Sequence, residues 1–293
     1  MILQSERLRV EIAEPGIFPA NTFRFDRCGF VTSIKLDEKH EFCTMEPTNL
    51  VHPSTGGVGL CNEYLCSNLC DEVKPGEKFV KFGIGAFTRP DEEPYCFFRK
   101  YEIEQFPMRY KANDKEVIFY TDPDKKMKDQ VEQTKRISVD GSDLVMEVEL
   151  KNVGEREIVM EEFCHNFLTI DGLRIGPKYQ LHVPYLNHTK GMGAGTFYGK
   201  ENGVFSFHDY NAKAALLRVS GDKIDKDAKQ YEWTLSNEDS PAMIRCLDEF
   251  CPSRLEVWSI DHIISVETFY AIHIKPGEKT NWKRRWKFEL KEG

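Results

Sequence analysis

The sequence predicts an all-β protein that folds as one large antiparallel β-sandwich over residues 1–293. Short segments in which apolar and polar residues alternate recur along the chain, and a period of two is typical of a strand buried on one face. No long segment carries the 3.6-residue period of a buried helix, and Pro and Gly are scattered as turn residues. Many strands without intervening helices indicate a sandwich or a barrel rather than a βαβ fold.

The clearest of the predicted strands is "DLVMEVELKNV". Every second residue from Leu144 to Leu150 is apolar, while Glu147 and Glu149 lie between them. This pattern indicates one core face and one solvent face. Further strands, separated by turn residues, are predicted in "KEVIFYTD", "EREIVMEEFCHNFLTI", "ALLRVSG", "EWTLS", "IISVETFYAIHI" and "NWKRRWKFEL".

Two stretches, residues 49–80 and 172–200, contain fewer strand patterns and more Gly, Pro and Asn. They are predicted to be long loops. Long loops on a rigid β scaffold often carry function.

The composition of the chain disfavours two classes of binding partner, nucleic acids and membranes. The chain has 40 Lys and Arg against 48 Asp and Glu, a formal net charge of -8, so we do not expect it to bind nucleic acid. It contains no run of 18 apolar residues, and the beginning "MILQSERLRVEIAEPG" lacks the basic start and apolar core of a signal peptide. We therefore expect no membrane partner and a cytoplasmic location.

Nine cysteines are present, and three of them, Cys61, Cys66 and Cys70, lie close together. Their spacing matches no zinc-binding pattern, so they are interpreted as small buried or half-buried thiols and no metal site is expected. His182 and His188 in "LHVPYLNH" are interpreted as surface histidines or histidines at the rim of a pocket.

Glu267 lies in the middle of "IISVETFYAIHI", on the face opposite to the apolar face of that strand. It shares its face with Ser265 and Phe269. Two interpretations are open: Glu267 lines a concave groove, or it is an exposed carboxylate on the wet face of an antiparallel sheet.

His165 lies in "EEFCHNFLTIDG", on one strand face with Phe163 and Phe167. A histidine between two aromatic rings is compatible with a hydrogen-bonded core residue, a metal ligand or an acid in a pocket. The strand pattern alone leaves these three interpretations open.

Three segments in order carry a resemblance to a known family: "GGVGLCNEYL" with "KFVKFGIGAFTRPDEEPY", then "EEFCHNFLTIDG", then "SVETFYAIHIKPGEKTNWKRRWKF". Together they resemble a divergent bacterial-type member of the aldose 1-epimerase, or galactose mutarotase-like, superfamily. The resemblance implies a β-supersandwich with a sugar in its concave groove. The chain departs from the family's "HGG" and "NHTYFNL" motifs: "VHPSTGG" places His52 three residues too early, and "CHNFLTI" replaces the second motif.

The resemblance also implies site residues. His165 falls where the family has its general acid, and Glu267 falls where it has its general base. Arg24, Glu63 and Asn166 are candidates for contacts with sugar hydroxyls. Trp258 is a candidate for stacking on the sugar, with plain core packing as the alternative.

Interconversion of sugar anomers needs a proton taken from the anomeric hydroxyl and a proton given to the ring oxygen. One acid and one base on opposite sides of the ring suffice, so no metal or cofactor is expected. His165 and Glu267 are accordingly expected to face each other across a sugar-sized gap. Glycoside hydrolysis is disfavoured because Glu161 and Glu162, as neighbours on a strand, point to opposite faces.

The predicted protein is thus a mutarotase acting in carbohydrate metabolism on a small-molecule sugar, as a monomer or homodimer. Two alternatives are a sugar-binding protein of the same fold without mutarotase activity and a sandwich domain that contacts other proteins.

Overall fold

A computed structural model describes residues 1–15, 23–47, 55–124 and 126–291 of the chain. It confirms the predicted all-β sandwich. His52 lies outside the described residues. In the part of the chain that the model covers, no helix is long and apolar enough to cross a membrane.

The described residues form short and long strands, one α-helix and one turn of 3₁₀-helix (Gly221–Lys223). The α-helix is α1, Ser67–Asp71. The strands in chain order are β1 Ile2–Gln4, β2 Leu8–Ile12, β3 Val31–Leu36, β4 His40–Glu41, β5 Gly59–Tyr64, β6 Lys78–Lys81, β7 Gly85–Thr88, β8 Ile103–Gln105, β9 Met108–Ala112, β10 Glu116–Thr121, β11 Val131–Asp140, β12 Asp143–Asn152, β13 Ile158–Phe167, β14 Tyr179–His182, β15 Gly193–Ala194, β16 Phe197–Gly199, β17 Val204–Phe207, β18 Ala215–Val219, β19 Tyr231–Asn237, β20 Ala242–Asp248, β21 Leu255–Ile260, β22 Ile263–Ile274 and β23 Lys279–Leu290.

Two large antiparallel sheets make the sandwich. The first has the order β1-β2-β3-β5-β13-β22-β21-β18, with β4 beside β3. The second has the order β15-β16-β17-β14-β19-β20-β23-β12-β11-β10-β9, and β6, β7 and β8 form a small third sheet. The neighbouring strands β13 and β22, in the interior of the first sheet, come from distant parts of the chain.

Strand β12 shows why these segments fold as predicted. Leu144, Met146, Val148 and Leu150 are buried on one face, as their alternation indicates. The facing positions of β23 supply Trp282 and Trp286, so the core between the sheets is closed by large side chains.

The two predicted loops are correct only in part. Residues 49–80 also hold β5, α1 and the start of β6, and residues 172–200 hold β14, β15 and β16. These elements are short and carry little alternation, so their strand pairing depends on neighbours that are remote in sequence.

Buried polar side chains form a chain of hydrogen bonds and ion pairs between the two sheets, which we call the inter-sheet network: Asp26, Asn62, Lys135, Glu162, Asp248 and Arg284. Lys135 Nζ contacts Asp26 and donates to Asn62 Oδ1 at 2.8 Å. The Asn62 amide donates to Glu162, and Arg284 Nη1 lies 3.0 Å from Glu162 Oε2. All these groups are buried, so each charge depends on its partners for compensation.

Asp248 lies at the end of this network, with Oδ1 3.6 Å from Arg284 Nε. Burial raises the pKa of Asp248 to about 7, although Arg284 acts in the opposite direction. The positive charge of Arg284 therefore compensates mainly the carboxylate of Glu162, and that of Asp248 to a lesser extent.

Candidate functional site

A groove of about 830 Å³ lies on the face of the first sheet that points away from the second sheet. Its floor comes from alternate residues of neighbouring strands. These are Phe163, His165 and Phe167 of β13, and Glu267 and Phe269 of β22. Strand β21 adds Trp258 beside them, and the segment Tyr95–Phe98 lies on another side of the groove.

The register of β13 and β22 brings His165 and Glu267 together. The two strands are antiparallel, with Phe163 opposite Phe269. His165 lies two positions after Phe163 and Glu267 two positions before Phe269, so both lie on the same side of that pair. His165 Nε2 is 3.3 Å from Glu267 Oε1, and the two side chains are only 4% and 5% exposed. The expected sugar-sized gap between them is therefore wrong: the two groups are in contact on one side of the groove.

Ser265 of β22 contacts both side chains and completes this cluster. Its Oγ donates to Glu267 Oε1 at 2.9 Å and lies 3.1 Å from His165 Nδ1. Both nitrogens of the imidazole ring thus face protein groups. The interpretations of Glu267 as an exposed carboxylate and of His165 as a metal ligand find no support here.

The surroundings of the pair set its protonation. Burial raises the pKa of Glu267 to about 8, and Arg24 offsets part of this rise. Burial, and next the positive charge of Arg24, lowers the pKa of His165 well below its usual range. At neutral pH Glu267 therefore holds a proton and His165 is neutral, which reverses the expected distribution of the proton between acid and base.

Aromatic rings enclose the imidazole. Phe167 stacks on His165 with a centroid distance of 3.9 Å and an interplanar angle of 3°. Phe25 and Trp258 meet it edge-on, at 5.8 and 5.6 Å. Trp258 is partly exposed and lines the groove, so it is not a plain core residue.

Arg24 and Glu63 also line the groove and are paired with each other. Arg24 Nε donates to Glu63 Oε2 at 2.5 Å, and Lys81 Nζ lies 3.5 Å from the other carboxylate oxygen. Burial opposes the charge of Arg24, but Glu63 outweighs it and raises the pKa of the guanidinium. Contact of either residue with a sugar stays a prediction.

The comparison with solved structures identifies the architecture. No protein-family model matches the chain and no curated protein matches it, but solved structures do. A protein of Synechocystis sp. PCC 6803 has a TM-score of 0.60 at 11% identity, with 99% of this chain and 96% of that chain covered. A galactose mutarotase related enzyme of Lactobacillus acidophilus has a TM-score of 0.58 at 11% identity, covering 99% and 97%. A galactose mutarotase-like protein of Lactobacillus casei has a TM-score of 0.56 at 12% identity, covering 99% and 99%.

This chain has the galactose mutarotase-like fold. The match extends over nearly its whole length, although identity is low. The resemblance seen in three short sequence segments is thus confirmed at the level of the fold.

In the galactose mutarotase-like fold of this chain, Asn166 points away from the groove, so its prediction as a sugar-binding residue is wrong. It follows His165 on β13, and successive residues of a strand point to opposite faces. Its amide donates to the Val266 carbonyl, and its backbone N–H donates to Ser265 Oγ at 3.1 Å. Asn166 is buried and does not line the groove, so its side chain is not positioned to contact a ligand there.

Of the three clustered cysteines, Cys66 is buried and lines the groove. Cys61 is buried, with Sγ 3.6 Å from the backbone oxygen of His165, and Cys70 is buried within α1, and neither lines the groove. His182 contacts the Asn202 carbonyl and His188 is exposed, and neither lines the groove. Among the described residues, no cluster of His, Cys, Asp and Glu is arranged to hold a metal ion.

Sequence reasoning missed Ser265 and the aromatic segment Tyr95–Phe98. Ser265 shares its strand face with Glu267 and follows the same alternation, so this signal was present. Tyr95, Phe97 and Phe98 belong to a loop with no periodicity, and no sequence signal places them at the groove.

Proposed function

We propose that this protein is a sugar mutarotase, an aldose 1-epimerase-like enzyme that interconverts the anomers of a sugar bound in the groove. The observation that carries the proposal is the buried contact between His165 and Glu267 at the groove floor of a galactose mutarotase-like fold. Two groups that share a proton near neutral pH are what acid and base catalysis of ring opening needs.

The geometry supports a mechanism that works from one side of the sugar. Oε1 of Glu267 is engaged by Ser265 and His165, whereas Oε2 has no hydrogen bond within the described residues. Oε2 is therefore the carboxyl oxygen that can meet the sugar. The anomeric hydroxyl and the ring oxygen are bonded to the same carbon, so one oxygen atom can serve both.

In ring opening, Oε2 takes the proton of the anomeric hydroxyl while Oε1 passes its own proton to Nε2 of His165. The carbonyl forms at the anomeric carbon, and the bond to the ring oxygen breaks with its electron pair going to that oxygen. The ring oxygen then receives the proton from Oε2, and His165 returns its proton to Oε1. Rotation about the bond next to the carbonyl and the reverse sequence give the other anomer.

The direct test is anomer exchange of common aldoses, followed by NMR, above the spontaneous rate. We expect the wild type to accelerate exchange of at least one aldose and His165→Ala to lose at least about tenfold, because the carboxyl then has no group to receive its proton. His273→Ala is the matched control, since His273 lies on β22 in an exposed pair with Glu157 at 2.8 Å. Acceleration of no aldose, or full activity of His165→Ala, contradicts the proposal.

One observation favours a second function, sugar binding without catalysis. Both nitrogens of His165 are held by protein groups, so the imidazole itself has no atom left for the sugar. In that case the groove would bind a sugar while its floor stays inert.

Intrinsic fluorescence separates the two functions. Trp233, Trp282 and Trp286 are buried in the core, so a ligand in the groove is expected to change the emission of Trp258 alone. We expect a saturable change on titration with the aldose whose exchange is accelerated, and no change in Trp258→Phe. A change with exchange at the spontaneous rate would select the binding protein, and a change that persists in Trp258→Phe would exclude the groove as its origin.

A further inference from the structure

We propose that Ser265 is a positioning residue for this reaction, whose hydroxyl bridges Nδ1 of His165 and Oε1 of Glu267. This bridge determines which imidazole nitrogen carries the proton and which carboxyl oxygen is presented to the sugar. The role in the reaction rests on the proposed function, whereas the effect on the two side chains can be measured without any substrate.

The contacts of Ser265 use the full capacity of its hydroxyl, which is one donated and two accepted hydrogen bonds. Oγ donates to Glu267 Oε1 at 2.9 Å. It accepts from the backbone N–H of Asn166 at 3.1 Å, which leaves one acceptor position for His165 Nδ1 at 3.1 Å. The side chain is fully buried, so no water is needed to complete the set.

This set of bonds determines the tautomer of His165. Because Oγ gives its only hydrogen to Glu267, Nδ1 must donate, and the neutral imidazole carries its proton there. Nε2 then presents a lone pair to Oε1, and the 3.3 Å contact is favourable when the carboxyl proton lies on Oε1. The unprotonated oxygen, Oε2, is thereby turned towards the groove.

The charged groups that face Glu267 come from each neighbouring element. Arg24 lowers its pKa, while Glu256 of β21 and Glu63 of β5 raise it, and His165 of β13 is neutral. None of these groups replaces the hydrogen bond from Ser265 to Oε1, which favours the carboxylate. Loss of the hydroxyl alone should therefore raise the pKa of Glu267 further and release the imidazole.

The experiment compares Ser265→Ala with Ser265→Thr, which keeps a hydroxyl. Ser259→Ala is the matched control, because Ser259 is also a buried strand serine and accepts from Asn211 at 2.8 Å outside the groove lining. Two quantities are measured in each variant: the pH dependence of kcat and KM for anomer exchange, and NMR titrations of the Glu267 carboxyl and the His165 ring nitrogens without substrate.

For Ser265→Ala we expect kcat to fall at least about tenfold with KM little changed, and the pKa of Glu267 to rise by about one unit, the size of one hydrogen bond to a charged group. The ring nitrogens should change from the single Nδ1-protonated tautomer to a mixture. Ser265→Thr should restore both readouts, and Ser259→Ala should match the wild type.

An unchanged Glu267 titration and an unchanged His165 tautomer in Ser265→Ala would overturn the inference, even if activity fell. If the wild type shows no anomer exchange, the proposed function fails, but the titrations still decide the role of Ser265 in the cluster. If exchange occurs and Ser265→Ala keeps both kcat and the pH profile, Ser265 has no part in it while the proposed function stands.

Discussion

Replacing Glu267 by Gln is expected to slow anomer exchange by about 10²- to 10⁴-fold, the usual contribution of a positioned proton-transfer group. The amide fills the same space but neither gives up nor takes a proton in this pH range. Because Oε2 is the oxygen available to the sugar in the proposed mechanism, no other described group of the pair can replace it. The measurement is kcat/KM by NMR, corrected for the spontaneous rate.

The pH profile of the wild type checks the same assignment. The carboxyl must be protonated at rest, and burial raises the pKa of Glu267 to about 8, so activity should fall as the pH passes about 8. The pKa of His165 is lowered well below its usual range, so no acidic limb should appear near pH 6.5. An acidic limb there, with activity preserved above pH 9, would contradict this protonation state.

Stability provides an independent control for Glu267→Gln. The folded carboxyl ionises only near pH 8, whereas the unfolded one ionises near pH 4.3, so its contribution to stability is full below about pH 4 and is lost as the pH rises to about 8. Gln does not ionise, so the variant should gain stability relative to wild type over this range. Glu157→Gln, in the exposed pair with His273, should change neither activity nor stability by much.

Arg284→Ala is expected to reduce the free energy of unfolding by about 3–5 kcal/mol, as for other buried ion pairs that lose one partner. Arg284 is 2% exposed, contacts Glu162 and donates to the Thr268 carbonyl at 2.9 Å. Its removal leaves Glu162 buried without a cation and opens a cavity between the sheets. Denaturant unfolding, read as a shift of the midpoint at constant slope, measures the loss.

Arg285→Ala is the matched control on the neighbouring position of β23. Arg285 is 41% exposed and pairs with Asp143 and Glu249 at the surface, so its loss should cost less than about 1 kcal/mol. The double variant Arg284→Met with Glu162→Gln should recover much of the stability, because no uncompensated charge then remains at that point. Equal losses of unfolding free energy for Arg284→Ala and Arg285→Ala would show that the buried pair contributes no more to stability than the exposed one.

Alternation along single strands predicted much of the site. It placed Glu267 opposite the core face of its strand, and His165 on one face with Phe163 and Phe167, and all of these residues line the groove. The same rule excludes Asn166, which differs from His165 by one position. The sandwich itself follows from the number of such strands and the lack of helical periodicity.

Distances and protonation could not be predicted in this way. The contact of His165 with Glu267 depends on the register of two strands that are far apart in sequence, and a one-strand pattern carries no register. The reversed proton distribution depends on burial by rings from several elements, including Phe25 and Trp258. The inter-sheet network was missed because Lys135 and Glu162 look like surface charges in their own segments.

The inter-sheet network has a consequence for the accuracy of strand pairing. Strand β13 is buried on both faces near the site, so apolar side chains alone would tolerate a slip by one residue. A slip of one residue in one direction would turn Glu162 towards the groove, take His165 away from it, and bring Phe163 to the place beside Arg284 that Glu162 holds. The guanidinium would then be buried without that carboxylate, a loss that costs about 3–5 kcal/mol. The charges between the sheets thus favour the strand register that places His165 and Glu267 at the groove.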